Sequence, residues 1–150
     1  MKRFILFCLT LALLSPLSAF AGGLEDFLGS VNAQARVDLP GFSARVSTQF
    51  GAPLPQVQMV LGSVREPADA FMVFQLGQFS GRPPERVLDV YKSGKGKGWG
   101  NIAKQLGIKP GSAEFHALKR GDLHFTGMPT GSGDSSGKGK GKGHGKGHNK

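Results

Sequence analysis

Residues 67–80 read PADAFMVFQLGQFS, and this stretch decides the fold. Phe71, Met72, Val73, Phe74, Leu76 and Phe79 leave no broad polar face on a helix of that length. Pro67, directly after Glu66, suits a first helical turn, where the missing N–H has no intrahelical partner to lose. A helix that is apolar nearly all round must be covered nearly all round, so the stretch predicts a central helix.

The segments on either side carry helical periodicity. Downstream, Pro83 and Pro84 restart the chain, and Val87, Leu88 and Tyr91 form the next stripe. Trp99, Ile102, Ala103 and Leu106 form another, which predicts one face turned toward Phe71, Phe74 or Phe79. Ser112 reads as an N-cap, with Glu114 in the first turn and Phe115 and Leu118 facing inward. Lys119, Arg120 and Gly121 supply a basic last turn and a stop. Upstream, Val57, Val60, Leu61 and Val64 repeat the i, i+3, i+4, i+7 spacing after Pro53 and Pro55, as do Leu24, Phe27, Leu28 and Val31. Residues 42–50 admit two readings. Phe42, Val46 and Phe50 fit a helix, whereas Phe42, Ala44, Val46, Thr48 and Phe50 alternate as in a strand; the helical neighbours favour the helix. The expected fold is all-α, a compact bundle of five or six short helices. Its core is expected to hold Phe71, Phe74, Phe79, Trp99, Ile102 and Leu106.

The two ends differ from this middle. Met1-Lys2-Arg3 is a short basic start, Phe4 to Leu14 an apolar run, and Ala19-Phe20-Ala21 a small-x-small pattern. Together they predict a signal peptide over residues 1–21 and a mature chain exported to the periplasm or beyond. The apolar run falls short of the roughly 20 residues a permanent span needs. Cleavage after Ala21 would remove Cys8, the only cysteine, and with it any disulfide, thiolate ligand or cysteine nucleophile. It would also remove Lys2 and Arg3, taking the formal charge from +9 to +7. Residues 131–150, GSGDSSGKGKGKGHGKGHNK, contain no apolar side chain and are expected to be disordered. Five lysines against Asp134 give this tail +4, leaving +3 for a single domain over residues 22–130.

Residues 96–116, GKGWGNIAKQLGIKPGSAEFH, resemble a signature shared by small exported bacterial proteins of unknown function. Pro67 to Met72 and the segment around Ser80-Gly81-Arg82-Pro83 fit the same group, so the resemblance covers about residues 42–125. It implies export and brings no activity. Residues 102–108, IAKQLGI, are also similar to the first helix and turn of a helix-turn-helix. That pattern wants apolar residues where Ala113 and His116 stand, and Pro110-Gly111 lengthens the turn, so an αα-hairpin fits better than a DNA reader.

Chemical motifs are few. The chain has no Gly-x-Ser-x-Gly elbow, no His-Glu-x-x-His and no EF-hand loop. Residues 95–100, KGKGWG, read either as a flexible basic turn or as an anion cradle built from Lys95, Lys97 and glycine backbone N–H groups. His144 and His148 in the tail give at most a weak site for Ni²⁺, Cu²⁺ or Zn²⁺, since the interleaved lysines repel a cation. His116 reads as a surface residue. The scattered carboxylates suit caps and polar faces, and no cofactor is implied.

The leading expectation is a non-enzymatic cell-envelope protein that binds anionic surfaces or polyanions. Lipopolysaccharide phosphates, phospholipid headgroups, anionic glycans and extracellular DNA all qualify, with no specific DNA site. The residues expected to engage them are Lys95, Lys97, Lys138, Lys140, Lys142, Lys146 and Lys150. The alternatives are a metal-binding envelope protein, a small envelope enzyme and a helix-turn-helix-like nucleic-acid binder.

Overall fold

The computed structural model describes residues 22–94 and 96–128. Seven helices run through them: α1 (Gly22–Val37), α2 (Leu39–Phe50), α3 (Leu54–Leu61), α4 (Pro67–Ser80), α5 (Pro84–Ser93), α6 (Trp99–Gln105) and α7 (Ala113–Arg120). No strand occurs among the described residues. The fold is an all-α bundle. It has one helix more than the upper expectation: each of the six helical stripes forms its own helix, and residues 42–50 add a seventh as part of α2. The signal-peptide, tail and Lys95 readings fall on residues outside those described.

Proline and glycine punctuate the bundle. Prolines stand in the first turns of α2, α3, α4 and α5, and Gly51, Gly81 and Gly121 end α2, α4 and α7 in the left-handed conformation. Residues 42–50 are helical, and their burial shows why. Phe42, Ser43 and Val46 are buried while Ala44 and Thr48 are exposed, so the side chains follow helical rather than alternating spacing. Asp38 starts α2 by accepting the Gly41 N–H at 2.8 Å. The Val57 stripe is shorter than its spacing suggested: α3 stops at Leu61, and Val64 packs from the following loop.

α4 is the axis of the bundle. Every residue from Ala70 to Gly77 is buried, and α4 packs against α1, α2, α3 and α5. Its Phe71 ring lies 5.4 Å from Phe27, 5.5 Å from Phe50 and 5.6 Å from Phe125. Phe125 belongs to no helix. The segment after α7 folds back over α1 and α2, held where Gln49 accepts from Thr126 N–H at 2.9 Å and donates to the His124 carbonyl at 2.7 Å. That latch drives Phe125 into the core, where it also meets Phe42 at 5.2 Å. Of the expected core residues, Phe71, Phe74, Ile102 and Leu106 are buried, whereas Phe79 and Trp99 are only partly so.

α6 and α7 form a hairpin through Gly107, Pro110 and Gly111, and this pair closes the end of the bundle against α5 and α1. α7 meets α1 at unusually short range. A Cβ at Gly23 would strike the Arg120 carbonyl, and one at Gly121 would strike the Gly23 carbonyl. Among the described residues, no helix is long and apolar enough to cross a membrane.

Candidate basic–aromatic cleft

The α6–α7 hairpin and the start of α1 enclose an open cleft of about 530 Å³. α6 lends it Trp99, Asn101 and Lys104, α7 lends Phe115 and Lys119, α1 lends Leu24 and Glu25, and Lys97 enters from the preceding turn. The local causes are plain. Gly96 and Gly98 hold positive φ, which lets the chain turn sharply into α6. The Asn101 amide then fixes that turn by donating to the Lys97 carbonyl at 2.6 Å. On α7, the Ser112 hydroxyl accepts from Phe115 N–H at 3.2 Å, so the helix starts where Phe115 and Lys119 share one face, four residues apart.

Trp99 packs against the core only in part. Its indole stacks on the Tyr91 ring of α5, with centroids 5.4 Å apart and planes 21° from parallel. The Tyr91 hydroxyl in turn donates to Asp69 Oδ2 at 2.8 Å. Burial and the neighbouring Asp69 carboxylate both push the Tyr91 phenol above the ordinary tyrosine value, which keeps it protonated and able to donate. Asp69 thus supports Tyr91, Tyr91 supports Trp99, and Trp99 forms part of the cleft wall.

The cleft is electropositive. Three lysines border it against one carboxylate, Glu25. The ion pairs among the described residues are Arg36–Glu66, Arg45–Asp38 and Arg120–Asp122, so none of the three lysines has an ion-pair partner among them. The Lys104 ammonium stands 5.9 Å above the Phe115 ring. No family model matches this chain. No curated protein and no solved structure matches it either.

The structure brings only one of the expected anion-binding residues, Lys97, into this cleft; Lys95 and the tail lysines lie outside the described residues. Lys104 and Lys119 are additions that the sequence reading missed. Fifteen positions separate them, and only the α6–α7 hairpin turns both toward one cleft. His116 is exposed on α7, and His144 and His148 lie outside the described residues. Among the described residues no group of three His, Cys, Asp or Glu side chains could hold a metal ion.

A second cleft, of about 520 Å³, is lined by Asp26, Asp122 and His124 beside the Gly23–Gly121 contact. Its Asp122 is engaged by Arg120 at 2.7 Å. The shifted carboxyls have local causes. Glu85 is held below its ordinary value chiefly by the Gln56 amide, which donates to it at 2.6 Å. Glu114 is lowered by its own backbone N–H and by Ser112 at the start of α7.

Proposed function

We propose that this chain is an exported, non-enzymatic polyanion-binding protein of the cell envelope, in which the basic–aromatic cleft and the lysine-glycine tail share the contact. The observation that carries this reading is the convergence of Lys97, Lys104 and Lys119 on one open cleft without ion-pair partners among the described residues. Lysine is a compact, strongly hydrated charge on a flexible stem, suited to phosphate or sulfate groups without fixed geometry. The five tail lysines add further positive charge. Binding of this kind releases counterions, so it falls steeply with salt.

The test compares three full-length proteins on inorganic polyphosphate and on anionic phospholipid vesicles over a salt series. They are the chain itself, a cleft variant with Lys97, Lys104 and Lys119 changed to Gln, and a tail variant with its five lysines changed to Gln. Each variant is expected to bind more weakly at low salt. Each should also have a shallower slope of log affinity against log salt, in step with the number of engaged lysines lost. Unchanged binding in both variants would refute the reading.

A further inference from the structure

Charge alone does not require the aromatic wall of this cleft. Trp99 is the only tryptophan of the chain and Tyr91 the only tyrosine, and the two are stacked on one another at the cleft edge. Tyr91 covers one side of the indole and Trp99 lines the cleft, so a base stacked on the other side would lengthen an existing stack. The polar lining is informative as well. It consists of Glu25, Asn101, the three lysines and the Trp99 indole N–H, and the Asn101 amide already donates to the Lys97 carbonyl. A neutral sugar would leave the three ammonium charges without a counter-charge. A ligand with a π-face and regularly spaced phosphates would find both of its needs met.

We propose that the cleft binds single-stranded nucleic acid, with one base continuing the Tyr91–Trp99 stack and the flanking phosphates held by Lys97, Lys104 and Lys119. This rests on the polyanion reading and narrows it to one class of polymer. A positively charged groove joined to an aromatic stacking platform is the general means of holding single strands with little sequence preference. The volume of about 530 Å³ matches sites that take small, compact ligands, so the folded domain engages one or two nucleotides and the strand continues beyond it. Asp69 and Tyr91 are positioning residues in this arrangement, because they fix the plane of the indole and do not touch the strand.

The tryptophan makes the test direct, since its fluorescence reports on this cleft alone. The full chain is titrated with oligothymidylate, with an abasic oligonucleotide of the same length, with inorganic polyphosphate of matched charge and with a sulfated polysaccharide. Oligothymidylate is expected to quench the indole and to bind about tenfold more tightly than the abasic strand, in line with roughly 1–3 kcal/mol per stacked base. Polyphosphate is expected to bind without quenching. Trp99→Leu, checked for helicity by circular dichroism, should erase the preference for bases while polyphosphate binding stays the same. Lys104→Gln should weaken both. Equal affinity for the two oligonucleotides with no quenching would overturn the nucleic-acid proposal and leave the polyanion reading standing. Tighter binding of the sulfated polysaccharide than of oligothymidylate would likewise overturn it. Failure of all four ligands to bind at low salt would overturn both.

Discussion

At Asp69 a single carboxylate joins two elements. Its Oδ2 accepts the Glu66 N–H at 3.3 Å at the start of α4 and the Tyr91 hydroxyl at 2.8 Å from α5. Because the Tyr91 phenol is raised in the folded state, its contribution to stability is complete below the ordinary tyrosine value of about 10 and is lost as pH climbs past the raised folded value. Titrating the phenolate absorbance of the sole tyrosine should therefore give a midpoint above 10, and Asp69→Asn should lower it part of the way, burial being the larger cause. A midpoint at the free-tyrosine value would remove Asp69 from this role. Gly23 makes the opposite kind of claim, that a side chain cannot be added. Gly23→Ala forces its Cβ onto the Arg120 carbonyl, so α1 and α7 must separate, at a cost of about 1–3 kcal/mol. Chemical denaturation of that variant measures the cost directly. Wild-type stability would mean that the two helices part freely.

Helices announce themselves to different degrees. α4 was legible because six large apolar residues in fourteen allow no exposed face, and its proline and the glycine after it mark both ends. α2 was ambiguous because Phe42, Val46 and Phe50 lie at even spacing, which serves a period of two as well as a helical face. The cap at Asp38 and the proline behind it decide for helix. Asp38→Ala should accordingly destabilise the protein by about 1 kcal/mol, read as a lower denaturation midpoint with unchanged slope. Phe125 was not legible at all. It stands in an irregular segment whose other apolar residues, Leu123 and Met128, fall at no single helical or strand period with it, and its burial depends on Gln49 of a distant helix. Phe125→Ala should cost about 3–5 kcal/mol despite lying outside every helix. A loss below 1 kcal/mol would show that the latch contributes little to the core.

Over the whole molecule the cleft is a product of the tertiary fold, which is why only part of it could be read in advance. Lys97 and Trp99 were singled out from the glycine-rich turn, yet Trp99 is only partly buried against the core, because Tyr91 offers the indole a flat partner at the edge of the bundle. Lys104 and Lys119 carry no signal in the sequence beyond being surface lysines; the hairpin gives them a common purpose. The central claim is that anions meet the folded domain at this place. Amide chemical-shift mapping of the full chain against inorganic polyphosphate at low salt tests it most directly. The largest shifts within residues 22–128 are expected at Lys97, Gly100, Asn101, Lys104, Phe115 and Lys119, fading as salt is raised. Shifts confined to the tail, or gathered on the α2–α3 side of the bundle, would contradict it.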